Sequence, residues 1–377
     1  MKWEMGGGPG MARVVISGYY GFNNTGDEAV LYSMVQALRS LEPGLGITVL
    51  SQRPQQTAAA LGVEAVNRWQ PAAVAEAIRQ ADLFISGGGS LFQDVTGPKS
   101  LCYYAGLITL ARTLGKPAMC YAQGLGPLKR SWSRRLAAKV LDGMQLITLR
   151  DSESRQLLVE LGVNKPPVYV TADPVLGLEP ETMDLQPGLD RWRQFELSGP
   201  VVGISVRSWP VAATFWQELA AAADGLVAGG WQVVFLPFQF PADVEACRQV
   251  ARLMHQPSLV IREKMSLPTI MAIIGKLQFL IGMRLHALIL AAVMGVPFMA
   301  LSYDPKVAAF ARSMEQALLV SLSGVTASSL QEMLRVALGN REEQAQRVQA
   351  AAAELKPRAL DNARLAVDYL KKGAISG

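Results

Sequence analysis

Ile281-Gly282-Met283-Arg284-Leu285-His286, carried on through a helical run to Val296-Pro297-Phe298-Met299-Ala300-Leu301-Ser302-Tyr303-Asp304-Pro305-Lys306, is the stretch from which the rest can be worked out. Residues 277–281 are apolar, short and stopped by Gly282, the pattern of a buried strand. Residues 287–294 read as a near-continuous apolar helix ended by Gly295, and Val296-Pro297 reopens a strand over 298–301. Strand, helix and strand at this spacing make a βαβ crossover. In open α/β sheets ligands bind outside the carboxyl ends of the strands. Residues 282–286 and 302–306 both fall at such ends. A guanidinium (Arg284), an imidazole (His286) and an ammonium (Lys306) are therefore expected together, with Gly282 and Ser302 beside them. Such groups hold an anion and move a proton.

The same alternation runs outward in both directions. Strands are expected at 13–17, 46–51, 82–86, 117–123, 145–149 and 167–171. Helices are expected at 27–40, 71–80, 99–114, 131–141 and 151–161. Residues 177–199, with Pro180, Pro187 and several charges, break the rhythm and read as an interdomain linker. Strands at 201–206, 231–236 and 259–261 then alternate with helices at 212–228, 242–254 and 266–275. The fold class is α/β: two Rossmann-like, doubly wound domains in a GT-B-like architecture with a long C-terminal helix. The expected division is an extension at 1–10, expected to be disordered, an acceptor-side domain at 11–176, the linker at 177–199, a donor-side domain at 200–340, and a helix over 341–377 packing back on the domain junction.

The 377 residues are 50% hydrophobic and 18% charged, a globular composition, and the net charge is +5. That balance suits acidic substrates or an anionic membrane face, and no long Lys/Arg tract calls for nucleic acid. Cys102, Cys120 and Cys247 are scattered without metal or CxxC spacing, which fits a reduced cytosolic setting. Two histidines exclude a multi-histidine metal site. No apolar run reaches the ~18 residues of a membrane span. Residues 1–10 hold Gly6-Gly7-Gly8 and no apolar core, so they do not read as a secretory signal, and Met11 is the expected functional beginning.

Other strand ends carry further candidates. Arg207 closes the strand at 201–206 and offers a planar fork for a carboxylate, or else a salt bridge to a neighbouring loop. Gly18-Tyr19-Tyr20-Gly21-Phe22-Asn23-Asn24-Thr25-Gly26-Asp27-Glu28 is a βα loop without GxGxxG spacing or an acidic ribose partner, which disfavours a dinucleotide. Asn24 and Asp27 suit sugar hydroxyls, or act as turn-former and helix cap. Gly87-Gly88-Gly89-Ser90-Leu91-Phe92-Gln93-Asp94 offers the Gly88 and Gly89 backbone to an anion or a sugar, and Asp94 as a base or hydroxyl acceptor. Gln123 and Arg150 repeat the theme at neighbouring ends, so one polar rim fits a carbohydrate. Lys129-Arg130-Ser131-Trp132-Ser133-Arg134-Arg135, continued to Lys139, is a basic segment for lipid head groups or a diphosphate, or a solvated helix face. His255 reads as a surface residue.

Taken in order, these segments resemble the polysaccharide pyruvyl transferase family, and within it the CsaB type. The resemblance rests on residues 18–28, 86–94, 121–127, Arg150-Asp151-Ser152, Ala172-Asp173-Pro174, 282–286 and 302–306, and spans residues 11 to about 371. It implies phosphoenolpyruvate as a donor substrate; no cofactor is expected, and the chemistry requires no metal. It implies pyruvate set on a sugar as a cyclic ketal, with phosphate released. For the CsaB type the acceptor is an N-acetylmannosamine of a lipid-linked disaccharide or polysaccharide, made for an S-layer-anchoring wall polymer at the cytoplasmic membrane face. By that likeness His286 and Lys306 are donor-site residues; Arg207 and Arg284 follow from anion chemistry alone. Two other readings stay open: a GT-B glycosyltransferase using a nucleotide-sugar, and a non-catalytic carbohydrate- or lipid-diphosphate-binding protein. The oligomeric state is left open.

Overall fold

The computed structural model describes residues 11–95, 97–210, 213–314 and 318–375. The extension read at 1–10 lies outside the described residues. The chain divides into two compact units. The first takes the chain up to Phe22, Asp27–Gly177 and Pro357–Gly377; the second takes Asn23–Gly26 and Leu178–Lys356.

The first unit begins with β1 (Arg13–Ser17), α1 (Thr25–Leu41), β2 (Gly46–Ser51), α2 (Pro54–Leu61), β3 (Glu64–Asn67), α3 (Pro71–Gln80), β4 (Leu83–Ser86) and β5 (Gly89–Phe92). It continues with α4 (Pro98–Thr113), β6 (Ala118–Leu125), α5 (Ser131–Leu141), β7 (Leu146–Leu149), α6 (Ser152–Glu160) and β8 (Val168–Val170). All its strands pair in parallel, in the order β3-β2-β1-β4-β6-β7-β8, with β5 added on β6. β4, β6 and β7 are buried throughout, as sheets covered on both faces require.

The second unit runs through α7 (Gln186–Arg193), β9 (Val201–Ser205), α8 (Ala213–Ala228), β10 (Gln232–Phe235), α9 (Ala242–Leu253), β11 (Leu259–Val260) and α10 (Leu267–Ile274). Then come β12 (Phe279–Gly282), α11 (Leu285–Val293), β13 (Phe298–Ser302), α12 (Pro305–Ser313), β14 (Leu319–Ser321) and α13 (Ala327–Gly339). Its parallel sheet has the order β11-β10-β9-β12-β13-β14. In both sheets the order reverses beside the first strand, at β1/β4 and at β9/β12. Those reversals open the crevices in which doubly wound folds hold ligands. α14 (Arg341–Ile375) begins in the second unit and, from Pro357, belongs to the first.

The βαβ reading holds as β12-α11-β13, with a core of Phe279, Ile281, Met283, Met299 and Leu301 packed on β9 and α8 side chains. The structure adds α2, β3, β5, α7, α12 and β14 to the expected alternation. β5 and β14 are three or four residues long, too short to show a period, and β3 is a half-exposed edge. α2, α7 and α12 each carry proline in the first turn, where it is tolerated, so a proline read as a break is a start. The stretch read as a linker thus holds α7. A Cβ on its Gly188 would run into Ala272 and the Thr269 backbone, so the glycine lets α7 lie closely against α10.

Candidate active site

The carboxyl edge of the second sheet is built around Asp243, at the start of α9 and fully buried. Its Oδ2 accepts the backbone N–H groups of Phe238 and Gln239 at 3.1 and 2.8 Å. The same carboxylate takes Arg284 as a fork, Nε at 2.8 Å and Nη2 at 2.5 Å. Arg284, read as a donor-site cation, thus has its charge answered by Asp243 inside the protein. Gly282 is also structural, since a Cβ there would press on Leu288.

The turn that Asp243 fixes has a second use. Thr25 donates its N–H to Phe238 O at 2.8 Å, and Phe240 donates to Asn23 O at 3.0 Å. Asn24 forms an antiparallel bridge with Gln239. The Asn24 side chain accepts the Gly26 N–H at 3.0 Å, so it serves as the turn-former weighed from the sequence. Gly26 then lies against the half-buried His286, in the first turn of α11; any Cβ at Gly26 would collide with the imidazole at Nδ1 and Cγ.

Arg207 follows β9 and is half-buried. Its Nη1 donates to Tyr303 Oη at 2.8 Å, and its guanidinium lies 4.8 Å from the Trp209 ring and 5.1 Å from the Tyr303 ring. Its Nε is buried without a partner, and among the described residues no carboxylate lies within salt-bridge range. Ser302 ends β13, two strands from β9 in the sheet, and Lys306 enters α12 with its backbone N–H held by the Asp304 cap at 3.0 Å. A cavity of about 380 Å³ opens beside Trp209 and Tyr303, lined also by Ser302, Ser321 and Ser323. The structure therefore groups Arg207 with Ser302 through Tyr303, and places His286 and Lys306 at the ends of adjacent strands of the same sheet.

At the carboxyl edge of the first sheet the glycines make room for side chains. The buried Tyr20 ring fills the space over Gly18, and its hydroxyl reaches the space over Gly87; a Cβ at Gly88 would meet Val30. Burial, with the charges of Asp27 and Glu28 nearby, holds the Tyr20 hydroxyl well above its ordinary pKa. Gly89 has a φ of 101°, and a Cβ there would sit 3.3 Å from Asp27 Oδ1. Gln123, wholly buried, donates to Gly89 O at 2.8 Å and Gly124 O at 3.2 Å. Arg150 pairs with Asp173 at 3.0 Å and donates to Ser90 Oγ at 3.1 Å. Asp94 accepts the N–H groups of Lys129 and Arg130 at 2.9 and 2.8 Å. Burial alone would raise this carboxyl, but those two N–H donors and the Arg130 charge take it below its ordinary value.

Gln123, Arg150 and Asp94, read as acceptor ligands, stand along this edge with partners inside the protein that shape the loops. Asp94 is answered by backbone N–H groups and Arg150 by an acid, whereas Gln123 keeps its Oε1 buried without a partner. His255 is the surface residue expected, against Asp224 at 3.1 Å. Asp243 escaped the sequence reading because its use depends on Arg284, 41 residues away.

Two doubly wound parallel sheets with a long C-terminal helix define the GT-B-type class that epimerases and glycosyltransferases of nucleotide-sugars share. Solved structures bear this out at the level of the fold. HepE of Anabaena, in complex with UDP-glucose, gives a TM-score of 0.64 at 13% identity, over 96% of this chain and 99% of that one. The UDP-GlcNAc 2-epimerase of Neisseria meningitidis, bound to UDP-GlcNAc, gives 0.62 at 14% identity over 96% and 100%. A glycosyltransferase from Rickettsia africae gives 0.64 at 9% over 96% and 98%. The family is more specific: residues 24–305 match the polysaccharide pyruvyl transferase model, and the chain belongs to that family. It is 24% identical over 254 residues to the amylovoran biosynthesis protein AmsJ of Erwinia amylovora, a match that covers 61% of this chain and 58% of that relative's length.

Proposed function

We propose that the chain transfers pyruvate from phosphoenolpyruvate to a sugar as a cyclic ketal and releases phosphate. The observation that carries this reading is Arg207. A half-buried guanidinium with no acid beside it among the described residues, next to a cavity at the ligand edge of a doubly wound sheet, is a site for an anion. Lys306, after β13 on the same edge of the sheet, supplies a second cation. Family membership supports pyruvyl transfer in polysaccharide biosynthesis as the setting.

In this scheme His286 gives a proton to the methylene carbon of phosphoenolpyruvate, leaving an oxocarbenium-like centre at C2. One sugar hydroxyl adds there and returns its proton to His286. The C2–O bond to phosphate breaks, a second hydroxyl closes the ketal, and its proton leaves with phosphate. Arg207 and Lys306 hold the donor and stabilise the departing anion. Asp27, on the acceptor side, orients the sugar hydroxyls. No cofactor or metal takes part. The acceptor is an N-acetylmannosamine of a lipid-linked wall-polymer precursor, met at the cytoplasmic membrane face. The outward face of α5 supports that setting: Trp132 is 41% exposed, and Lys129, Arg135 and Lys139 around it have no carboxylate within salt-bridge range among the described residues.

A phosphate-release assay tests the reading, with phosphoenolpyruvate and then UDP- and GDP-sugars as donors against a short-chain lipid-disaccharide mimic. Release from phosphoenolpyruvate alone supports it; turnover of a nucleotide-sugar, or binding without release, overturns it. Arg207→Gln is expected to raise the KM for phosphoenolpyruvate about tenfold to a hundredfold, the worth of a charge-assisted hydrogen bond. His286→Ala should abolish turnover in a folded protein, and Lys306→Ala should weaken donor binding. An unchanged donor KM in both cation variants removes them from the site.

A further inference from the structure

Arg68, just past β3 in the first unit, is only 6% exposed, yet no carboxylate lies within salt-bridge range among the described residues. The buried Arg150 has Asp173 and the part-buried Arg284 has Asp243. Arg68 has rings: its guanidinium lies 4.3 Å from Tyr103, 5.0 Å from Phe22, 5.3 Å from Trp69 and 5.6 Å from Tyr104. Its Nη1 donates to Gly18 O at 2.7 Å, and its Nε is buried without a partner. The cage is locked from behind. The Arg68 N–H donates to Ser51 O at 3.1 Å, and Tyr103 Oη donates to Arg68 O at 3.2 Å. Tyr19 stacks on Phe22 at 4.2 Å with the ring planes 7° apart.

Large flat surfaces are left over on the solvent side. Trp69 is 56% exposed and Tyr19 37%. Trp69 is nevertheless held: its indole N–H donates to Gln52 Oε1, and its backbone N–H to Asn67 Oδ1 at 2.9 Å. Gly18, Gln52 and Arg68 follow β1, β2 and β3, so the rings stand over the carboxyl ends of three adjacent strands, beside the crevice at β1/β4. An exposed indole held in one orientation gives contact area at little entropic cost.

We propose that Trp69 and Tyr19 form a stacking platform for a pyranose ring of the acceptor, Trp69 packed on the caged Arg68 and Tyr19 stacked on the Phe22 of that cage. A pyranose has an apolar C–H face that lies flat on an aromatic ring, and a rim of hydroxyls for polar groups such as Gln52 at its edge. The guanidinium beneath the rings excludes the cationic ligands that aromatic cages otherwise take and favours a ligand rich in oxygen lone pairs. The platform rests on the reading that the acceptor is a carbohydrate, but it uses none of the donor-site residues.

The test is titration calorimetry on the full chain, without donor, using a short-chain alkyl glycoside of an N-acetylhexosamine disaccharide as the probe. Trp69→Ala and Tyr19→Ala are each expected to weaken glycoside binding about tenfold, the scale of one lost stacking partner. Trp69→Phe should keep most of the affinity, and the Kd for phosphoenolpyruvate should be unchanged in all three. Wild-type binding that both alanine variants retain overturns the platform, as does a wild-type chain that takes UDP on Trp69 and ignores the glycoside. Should Trp69→Ala not fold, Gln52→Ala and Tyr19→Ala carry the same reading. A chain that binds the glycoside through Trp69 but releases no phosphate from phosphoenolpyruvate upholds the platform and overturns the donor reading instead.

Discussion

Asp243 shows at the scale of one residue why a conspicuous arginine need not meet a ligand. Fully buried, it accepts two backbone N–H groups and the Nε and Nη2 donors of Arg284. Breaking such a pair leaves a buried charge and orphaned donors, which costs about 3–5 kcal/mol. Asp243→Asn is therefore expected to lower the urea midpoint of the second unit sharply. Arg284→Gln should do the same, and the double variant should cost clearly less than the two combined. A folded Arg284→Lys enzyme should keep its donor KM within about threefold of wild type; a hundredfold rise would return Arg284 to the donor set. The sequence displayed Arg284, Arg207 and Arg150 as three equal cations at three strand ends. What separates them is whether an acid faces them, and the acids come from α9 and from the segment after β8. Pairings across such distances leave no local periodicity, so the cations were legible and their employment was not.

At the scale of elements, α1 begins in a turn whose glycine makes room for a ring on α11. A Cβ at Gly26 would overlap the His286 imidazole, so Gly26→Ala must displace either the ring or the turn. Overpacking of this kind costs about 1–3 kcal/mol. The expected result is a destabilised protein with low turnover whose stability loss largely disappears in the His286→Ala background. Equal losses in both backgrounds would show that the two groups do not meet. The entry of α5 depends in the same way on Asp94, whose folded pKa lies below its ordinary value. On acidification the unfolded chain takes up the proton first, near the ordinary carboxyl value of about 4. The stability that Asp94 contributes is thus complete above that value and is lost as pH falls through the lower folded pKa. Asp94→Asn should be less stable at pH 7 and lose less between pH 4 and 2, read from melting temperatures across that range; parallel acid profiles would contradict it. Elements with long buried runs, such as β12-α11-β13, were visible in the sequence because burial on both faces writes itself as unbroken apolar residues. The short edges β3 and β14 were not, since a few half-exposed residues carry no such signature.

The end of the chain matters to the whole molecule because the first unit is not finished by its own N-terminal stretch. Asn362 on α14 is fully buried and tied on both ends of its amide. Thr148 and Thr171 hydroxyls donate to its Oδ1, the latter at 2.8 Å, and its Nδ2 donates to Ala172 O at 3.1 Å. Ala359, Ala363, Ala366, Val367 and Leu370 of the same helix are buried with it. Removing them exposes two large apolar side chains, at about 1.5–3 kcal/mol each. It also removes the amide that Thr148 and Thr171 share, at about 0.5–1.5 kcal/mol per hydrogen bond. Together these losses compare with the ~5–15 kcal/mol that hold a domain folded. A protein ending after residue 177 should therefore lack a cooperative urea transition, although it contains every strand of the first sheet. Supplying residues 357–375, joined by a flexible linker or as a separate peptide, should restore the transition, and Asn362→Leu in that segment should weaken the rescue. If residues 11–177 alone unfold cooperatively at the midpoint of the rescued protein, α14 is only a passenger on the first unit. If rescue follows the buried face of α14, the chain's last segment is part of the core, and the first unit can finish folding only after the second has been made.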